Sequence, residues 1–543
     1  MNKIKNFLNN YKFKILVFFL PIFICLFIFL TKGYIIKKTI FQSDMMGQYV
    51  SFFSYYKNVL IGKENIFYSF SKGIGGSMIG AYSYYLSSPL NLLIIFFPLK
   101  ALPLFFVVLL LLKIGLSSLT MYIYLDYLNK ENNYLKIALS VCYGMMAYIT
   151  NYYFNIMWLD GVYLLPLVIM GIDKIFNEKS PILYLVALCL SIWCNYYIGF
   201  MICIFSCLYF IYKFILMYKE IENRRKKVIF RFLFTSLLAG LMTAIILIPT
   251  ILELQNSNKS LNTFFTTTFN INLNIFDFLS KGYIGSYNKN MILNTNTVNW
   301  YLGIMPIILL INYFFNKEIS RKEKILSVIM ILIFITSFSV SHINYIWHGF
   351  NIPVGFNYRY SFIFCFLVVT LAFKGFNKFN LNKTKILISL IIYILIAIII
   401  LLLDYEYIKF YLIWLSVGLF VIYEIILSVE INVDIEQKKM LHLLFILLVI
   451  SEMSVNFYFV IRDYDFYYNS EYNYNLKEYD KINKYDNDGL KFKRIETYND
   501  FTSNNGLMAN YNGISSFIST INKKLVDFGS DVGLSYSDLT IDY

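Results

Sequence analysis

The chain has 543 residues, of which 58% are hydrophobic and only 15% are charged. Soluble domains carry about 25% charged residues, so this composition excludes an ordinary soluble enzyme or binding module. The net charge of +14 at pH 7 does not indicate a nucleic-acid partner, because the basic residues fall mostly in short loops between apolar runs, where they set orientation in a membrane. We therefore expect a polytopic α-helical protein embedded in a lipid bilayer.

The first apolar run, at 15–30, is predicted to be a retained membrane anchor. Lysines precede this run, as they do in a secretory signal, at Lys3, Lys5, Lys12 and Lys14. The segment TKGYIIKKTI that follows offers no small-residue cleavage site of the kind that a signal peptide needs.

Apolar runs close to 20 residues long recur along most of the chain, and the hydrocarbon core of a bilayer requires a helix of about that length. We predict thirteen membrane spans, at 15–31, 101–125, 134–150, 156–172, 181–196, 198–218, 232–252, 301–315, 325–341, 360–373, 386–403, 410–428 and 440–460. If the N-terminus is cytoplasmic, the loops richest in Lys and Arg (219–231, 316–324 and 374–385) all fall in the cytoplasm, as the positive-inside rule requires.

Two domains follow from this topology. A membrane domain occupies 1–460 and carries two long outer loops, at 32–100 and 253–300. The tail, 461–543, is then also extracytoplasmic, and after Arg462 it becomes rich in Asn, Asp and Tyr. Within it, FKRIETYND alternates as a β-strand does, so we expect a small α/β or β domain.

The outer loop 32–100 contains apolar residues at spacings of three, four or seven, a pattern that predicts a helix lying along the membrane interface. These residues are Phe41, Met45, Phe52, Tyr56 and Val59. On a regular α-helix, Asp44 and Gln48 share another face, four residues apart. Four glycines within 73–80 then suit a tight turn. The apolar stretch 90–99 is too short to span, so we predict a second interfacial segment there.

Six short motifs follow one another along the chain. They are Asp44, Gln48 and Tyr49 after the first span, YYLSSP (84–89), WLDGVYLLPL (158–167), NYYIGFM (195–201), NYRYSF (357–362) and YNGISSF (511–517). In this order they resemble the bacterial YfhO-type membrane proteins and, through them, the GT-C class of glycosyltransferases. The resemblance covers nearly the whole chain.

The resemblance implies an all-α, GT-C-like membrane enzyme in the bacterial cell membrane. Such an enzyme moves a sugar from a polyprenyl-phosphate carrier onto a cell-envelope polymer, with lipoteichoic or teichoic acid as the expected acceptor, on the outer face. Proteins of this type generally continue past 543 residues and return to the membrane. The resemblance therefore implies that the tail domain at 461–543 is incomplete.

Glycosyl transfer from a lipid phosphate requires a base that takes the proton of the acceptor hydroxyl. The resemblance makes Asp44 the preferred base, because it is acidic, external and close to the leaflet; the alternative is an acid that merely stabilises a helix N-terminus. Gln48 would orient the sugar or the carboxylate. Asp160 is a second catalytic candidate, since an ionisable group in a membrane segment is costly, unless it simply reaches water. Glu253 is a second-rank base and substrate ligand.

The leaving phosphate requires positive charge or a metal ion. Arg359, at the outer mouth of a span, can bind phosphate bidentately; the alternative is an interfacial anchor. We also expect substrate contacts from the neighbouring Tyr358 and, within the matching motifs, from Tyr85, Asn195 and Tyr196.

His342 and His348 share the outer loop that precedes Arg359. Without a placed carboxylate they make a weak metal signal, and a packed or solvated role is the preferred interpretation. No cofactor follows from the sequence. A divalent cation such as Mg²⁺ or Mn²⁺, shared between Asp44 and the phosphate, is left open.

A second hypothesis is a transporter or flippase of a lipid-linked sugar. Lys113 and Glu452 favour it, because each lies inside an apolar span and buried charges usually pair or line a cavity. Against it, the sequence shows no internal repeat with broken helices in corresponding positions. A scaffold without catalytic activity is a third hypothesis.

The topology predicts that the tail is reached from outside the cell. A cysteine introduced within 461–543 should react with a membrane-impermeant thiol reagent in intact cells, whereas the seven native cysteines lie in apolar segments. A cysteine placed in loop 219–231 is the internal control and should react only after permeabilisation. The opposite labelling pattern would reverse the predicted orientation.

Overall fold

The computed structural model describes residues 2–131, 133–257, 268–294, 297–376, 383–429, 434–462, 464, 466–485, 492–497, 501–536 and 540–542. Parts of the predicted loop 253–300 and of the tail lie outside the described residues. So do residues 498–500, the last three of the predicted strand FKRIETYND.

The described part of the chain is mostly α-helical. Its α-helices are α1 (Asn2–Thr31), α2 (Val50–Leu60), α3 (Ile79–Ala81), α4 (Leu102–Leu128), α5 (Asn133–Gly144), α6 (Ala147–Asn151), α7 (Leu159–Phe176), α8 (Ile182–Cys194), α9 (Tyr196–Leu216), α10 (Arg225–Gln255), α11 (Ile275–Ser280), α12 (Lys289–Asn294), α13 (Ile304–Phe315), α14 (Arg321–Ser339), α15 (Ser341–Trp347), α16 (Ser361–Phe376), α17 (Lys383–Leu402), α18 (Phe410–Val429), α19 (Ile435–Arg462), α20 (Asn469–Tyr485), α21 (Asn505–Ala509) and α22 (Lys523–Asp531).

Two π-helical turns and four 3₁₀ helices complete the helical structure of the described residues. The π turns lie at Met45–Tyr49 and Tyr82–Leu86, and the 3₁₀ helices at Pro89–Phe96, Leu99–Ala101, Ile156–Trp158 and Glu222–Arg224.

Every predicted span coincides with at least one helix. In the described residues, seven helical segments are long and apolar enough to cross a membrane by length and composition. They are Tyr11–Thr31, Leu99–Leu128, Ile156–Phe176, Tyr196–Leu216, Glu222–Gln255, Phe410–Val429 and Glu436–Arg462. Four shorter apolar helices lie at Ile182–Cys194, Ile304–Phe315, Ser361–Phe376 and Leu387–Leu402. An all-α membrane protein is therefore the fold class, and thirteen spans stays a prediction.

The span predicted at 134–150 is broken into α5 and α6. At the break, the Ala147 N–H leaves its own helix and donates to the Tyr301 carbonyl at 2.8 Å. This bond to a distant segment replaces the intrahelical bond, so the Ala147 N–H is not left unsatisfied at the break. It also brings the segment before α13 against α6.

The membrane helices pack closely around α4, which contacts α1, α5 and α7. Glycines make the approach possible, as small residues do in membrane interfaces. A β-carbon on Gly115 would lie 2.8 Å from the Phe18 carbonyl oxygen of α1, and one on Gly144 would lie 2.9 Å from the Ser118 side chain of α4. Between α13 and α16, a β-carbon on Gly375 would lie 2.4 Å from the Leu309 carbonyl oxygen.

The loop 32–100 does not lie on the surface as a simple interfacial helix. Seven consecutive residues of α2, from Val50 to Tyr56, are all buried, because the tail covers the side away from the membrane helices. Ser51 bonds to Thr502 at 2.6 Å, and the Ser54 hydroxyl donates to the Met508 carbonyl at 2.8 Å. Amphipathic periodicity correctly predicted a helix here, but the contacts of its polar face come from a segment more than 400 residues later.

Short strands occur in the loop 32–100 and in the tail. In the loop, β1 (Tyr68–Ser69) and β2 (Gly76–Ser77) pair antiparallel. Gly73 and Gly75 have φ of 55° and 110°, a region that favours glycine, so the predicted glycine turn is confirmed. In the tail, β3 (Ser516–Phe517), β4 (Ser535–Tyr536) and β5 (Thr540–Asp542) form a sheet in the order β3-β5-β4.

The predicted strand FKRIETYND is not formed over its described residues, 492–497. The reason is that a side chain takes the place of a neighbouring strand. The Glu496 carboxylate accepts hydrogen bonds from the Ile514 and Ser515 N–H groups at 3.0 and 2.7 Å. Alternation alone cannot distinguish this arrangement from a ladder of backbone bonds.

Candidate functional site

The Asp44 carboxylate is positioned by the π-helical turn at Met45–Tyr49, which continues directly into α2. The N–H that follows the turn bonds to the first carbonyl of the turn, five residues back. Such a turn is wider than an α-helical one, so the side chain that comes round beside Asp44 is Tyr49 and not Gln48. The structure therefore separates two side chains that a regular α-helix would place on one face.

The second π-helical turn, Tyr82–Leu86, presents Tyr84 to the same site. The Tyr84 hydroxyl oxygen accepts hydrogen bonds from Arg359 Nη1 at 3.2 Å and from Trp158 Nε1 at 3.1 Å. Both donors are fixed by their own contacts, so the hydrogen of the Tyr84 hydroxyl is left to donate elsewhere. π turns of this kind are frequent at functional sites.

The Arg359 guanidinium is mostly committed to its own loop. Nε donates to the Phe356 carbonyl at 3.1 Å, and Nη2 donates to the Val354 and Gly355 carbonyls at 3.2 and 3.1 Å. With the bond to Tyr84, four of the five N–H donors of a guanidinium are used. The expected bidentate fork is therefore not open in this arrangement, and Arg359 offers its charge and one remaining N–H.

Aromatic rings hold the guanidinium in place. Arg359 Cζ lies 4.9 Å from the Trp158 ring centroid and 5.3 Å from that of Tyr197, which are cation–π distances. The Tyr197 hydroxyl in turn bonds to His348 Nδ1. His348 Nε2 lies 2.6 Å from the Asn357 carbonyl oxygen; since a carbonyl only accepts, Nε2 carries the proton and Nδ1 accepts.

Burial, helped by the Arg359 charge, lowers the pKa of His348 to about 3. The ring is therefore neutral at physiological pH, with both nitrogens in use. His348 acts on the site only by fixing Tyr197, which agrees with the packed role preferred from the sequence.

The charge of Arg359 influences the pKa of Asp44. Burial raises the pKa of the Asp44 carboxyl above its ordinary value, while the Arg359 charge and hydrogen bonding to Tyr49 act in the opposite direction. In the described part of the chain, no salt bridge within 4.0 Å joins Asp44 to Arg359. The cation is thus close enough to influence the pKa of the carboxyl without contacting it directly.

Gln48 forms part of a separate hydrogen-bonded chain that ends in the tail. Its Oε1 accepts from the Tyr85 hydroxyl at 3.1 Å, and the same hydroxyl lies 3.0 Å from Ser519 Oγ. The tail also secures the backbone of the first π turn, because the Gly47 carbonyl accepts from Thr502 and from Asn504 at 3.2 Å each. The tail is therefore a structural part of the site.

The chain matches the family described as "Bacterial membrane protein YfhO" over residues 17–543. It belongs to the YfhO family. No curated protein and no solved structure matches it. Family membership confirms the resemblance drawn from the motifs and makes the chain a multi-pass bacterial membrane protein.

Asp160, in the motif WLDGVYLLPL, forms a buried ion pair with Lys113. Its Oδ2 lies 2.6 Å from Lys113 Nζ, and both side chains are fully buried. Its Oδ1 accepts from Ser88 at 2.8 Å and from Tyr163 at 2.9 Å. A carboxylate so engaged holds the end of YYLSSP against α4 and α7, and the structure leaves it no free contact with a substrate.

Glu253 holds the glycine turn. Its Oε2 accepts from the Gly80 N–H at 2.9 Å and from the Ser77 hydroxyl at 2.7 Å, and Oε1 lies 3.5 Å from Lys72 Nζ. These bonds fasten the C-terminal end of α10 to the loop 32–100. The sequence predicted Glu253 as a second-rank base and substrate ligand, and that role stays a prediction; it gave no sign that the carboxylate accepts from a backbone N–H.

The remaining predicted substrate ligands differ in position. Asn195 caps α9 by accepting from the Ile198 N–H at 2.9 Å, and its Nδ2 donates to the Tyr84 carbonyl at 2.8 Å. The Tyr196 ring is half-buried, 5.9 Å from the Tyr84 ring, and borders the site. Tyr358 is buried with its ring 5.6 Å from that of Phe338, on the other side of the loop.

A divalent cation stays a prediction. In the described part of the chain, no three His, Cys, Asp or Glu side chains converge as metal ligands would. Mg²⁺ is usually held by one or two carboxylates together with substrate phosphates. Asp44 alone beside a guanidinium does not make such a site.

Sequence reasoning missed Trp158 and Tyr84 as ligands of the arginine, although both lie in quoted motifs. It also missed Asn155, whose Oδ1 accepts from the Tyr49 hydroxyl at 2.7 Å. A signal was present: the asparagines in TNYYFN, at 150–155, interrupt an apolar stretch, and irregular backbone at membrane depth is tolerated where it is buried in protein or lines a cavity.

The buried pair of Lys113 and Asp160 predicts a specific stability pattern. Lys113→Met should destabilise the protein by about 3–5 kcal/mol, because it leaves Asp160 as an uncompensated buried charge. Adding Asp160→Asn in the same chain should recover part of the loss. Thermal unfolding of the detergent-purified protein measures both.

Lys130→Met is the matched control, since Lys130 is 81% exposed in its pair with Asp126. Exposed pairs of this kind contribute about 0–1 kcal/mol. Equal unfolding temperatures for Lys113→Met and Lys130→Met would show that the buried pair does not stabilise the fold.

Proposed function

We propose that this YfhO family protein is a membrane glycosyltransferase. It moves a sugar from a polyprenyl-phosphate donor to a cell-envelope polymer, such as lipoteichoic or teichoic acid, on the outer face of the membrane. The observation that carries the proposal is that Asp44 and Arg359 adjoin one group of packed phenols. Tyr49, beside Asp44, and Tyr84, which accepts from Arg359, lie with their rings 5.2 and 4.6 Å from the Tyr85 ring. Transfer from a lipid phosphate needs a base for the acceptor hydroxyl and a cation for the leaving phosphate.

In the proposed reaction, the acceptor hydroxyl attacks the anomeric carbon of the donor sugar. Asp44 takes the hydroxyl proton as the new C–O bond forms. The C–O bond to the phosphate breaks, and its electron pair leaves with the polyprenyl phosphate, whose charge Arg359 counters. Tyr84 has an uncommitted hydroxyl hydrogen beside Arg359 and donates it to a phosphate oxygen.

The raised pKa of Asp44 suits a general base, because a base is most effective when its pKa approaches the working pH. The charge of Arg359 acts against this rise.

The features that favoured a transporter have local explanations. Lys113 is paired with Asp160 and does not reach Glu452. Glu452 accepts from the Tyr301 hydroxyl at 2.6 Å and from the Tyr423 hydroxyl at 2.8 Å. A transporter places open polar groups at a substrate site near the midplane, whereas these two charges are held by fixed partners. We therefore prefer the enzyme.

Arg359→Ala should weaken binding of a polyprenyl-phosphate donor, because loss of a charged hydrogen-bond donor costs about 1.5–3 kcal/mol. Arg359→Lys should restore only part of it, since a lysine cannot bond Tyr84 and the loop carbonyls at once. Donor affinity of the purified protein is the measurement. Arg462→Ala removes another arginine at the end of a membrane helix and is the control; unchanged affinity in both Arg359 variants would make that residue an anchor.

Asp44→Asn keeps the shape and removes the base, so transfer should fall about 10²–10⁴-fold while donor binding persists. Gln48→Ala should cost much less, because Gln48 bonds to Tyr85 and not to Asp44. Sugar transfer by purified protein measures both. Near-normal turnover of Asp44→Asn would return that residue to the role of a helix-end acid.

The pH profile tests the coupling of the two groups. Asp44 must be ionised to act, so transfer should fall as the pH drops through its raised pKa. Arg359→Gln removes the charge that lowers this pKa, and the acid limb of the rate–pH profile should then move to higher pH. An acid limb that stays at the same pH would show that Arg359 does not influence the pKa of Asp44.

A further inference from the structure

Next to the proposed reacting groups lies a set of buried polar side chains that the reaction above does not use. This amide–phenol cluster consists of Tyr148, Asn151, Tyr152, Asn155 and Asn299, each with 0% of its surface exposed. Its first four members come from the segment 148–155, which includes most of α6 and the turn after it, and Asn299 lies in the segment before α13.

The cluster has hydrogen-bonding capacity that the protein leaves unused. In the described part of the chain, Tyr148 Oη, Asn151 Oδ1 and Asn155 Nδ2 have no hydrogen-bond partner. The second amide atom of each of these two asparagines is engaged, Asn155 Oδ1 with Tyr49 and Asn151 Nδ2 with Asn299, at 2.7 Å each. Turning either amide over exchanges oxygen and nitrogen but still leaves one atom unbonded.

Buried polar groups almost always have partners in folded proteins. Several unpaired donors and acceptors on three fully buried side chains therefore point to a polar occupant that the chain itself does not supply. The occupant must both donate and accept hydrogen bonds, because the cluster offers an amide N–H, an amide oxygen and a phenol.

The cluster contacts neighbours of both proposed reacting groups. At one end, Asn155 bonds to Tyr49, the neighbour of Asp44. At the other end, the Tyr152 ring lies 5.6 Å from that of Trp158, on which the Arg359 guanidinium rests. An occupant of the cluster is thus placed beside the cation and within reach of the base.

We propose that the amide–phenol cluster binds the hexose of the donor. This inference rests on the proposed function, because the sugar is joined to its phosphate through a single oxygen and must lie next to the group that holds the phosphate. Sugar hydroxyls donate and accept hydrogen bonds, as the cluster requires, and the Tyr148 and Tyr152 rings provide apolar faces for the C–H side of a pyranose.

The sugar reaches the cluster past Phe356. The Phe356 ring lies 5.4 Å from Tyr152 and 5.7 Å from Trp158 and covers this side. The backbone of Phe356 has φ of 51°, an uncommon conformation for a bulky residue. Occupancy of the cluster requires this ring to move aside.

The experiment compares two lipids on the full-length purified protein by native mass spectrometry. One is polyprenyl phosphate, and the other is the same lipid carrying a hexose, tested as glucosyl, galactosyl and N-acetylglucosaminyl forms. At least one sugar-bearing form should bind the wild type about tenfold or more tightly than the bare lipid phosphate, as several hydrogen bonds would provide.

Tyr148→Phe and Asn155→Ala should lose most of this preference and keep the affinity for bare polyprenyl phosphate. Tyr148→Phe removes only a hydroxyl and preserves the packing, so it answers the question if Asn155→Ala folds poorly. Asn312→Ala is the matched control: Asn312 is also buried with an unbonded amide nitrogen, but it lies two turns into α13. It should keep the full preference.

A preference that survives in Tyr148→Phe and Asn155→Ala would overturn the inference and leave ordered water as the occupant. A wild type that binds the bare lipid phosphate but gains nothing from any of the three sugars would overturn it as well, and the proposed function would stand. A wild type that binds neither lipid would overturn the proposed function together with the inference.

Discussion

A charge taken out of water must be paired, and the pairing of Lys113 with Asp160 determines how the part of the protein around the candidate site is built. The two atoms are 2.6 Å apart with both side chains fully buried. Lys113 also donates to the Ile156 carbonyl at 2.9 Å, and Asp160 accepts from Ser88. One ion pair thereby joins α4, the 3₁₀ turn at Ile156–Trp158 and the segment that follows the second π turn. Removing either partner would leave the other as a buried charge with neither a partner nor water to solvate it.

The orientation of the reacting groups depends on that junction. Trp158 ends the 3₁₀ turn and Tyr84 lies in the adjacent π turn, so the ion pair brings their side chains to 3.1 Å. Arg359 contacts both side chains, because it donates to the Tyr84 hydroxyl and packs over the Trp158 ring. The tail acts from the other side, through three donors on the Gly47 carbonyl, and so holds the turn that carries Asp44. The site is thus assembled from irregular backbone held between regular helices.

This arrangement agrees with what the proposed chemistry demands. A lipid phosphate cannot leave the membrane, and a hydrophilic polymer cannot enter it, so both reactants meet only at the boundary. In the predicted topology, Arg359 and the loop 32–100, which carries Asp44, both lie at that boundary. The buried amides and phenols nearby hold donors and acceptors without partners, which is costly in a low-dielectric interior, and the proposed sugar would satisfy them.

Much of the fold could be read from the sequence because helix formation in a membrane depends on local apolar length. Composition alone established the membrane class, each predicted span coincides with a helix, and the order of the motifs identified the family. The glycines within 73–80 also predicted their turn, since left-handed backbone favours that residue. The position of Asp44 just beyond the first span followed from counting residues.

Only the tertiary structure decided which side chains meet. An α-helix would place Gln48 beside Asp44, but the π turn places Tyr49 there, and no local pattern distinguishes the two turns. Lys113 had a buried acid as its expected partner, and the choice of Asp160 over Glu452 depends on how distant helices pack. FKRIETYND alternates like a strand, yet the Glu496 carboxylate replaces the neighbouring strand. In the last two cases the deciding bond joins residues that the chain separates, and such bonds leave no local trace in the sequence.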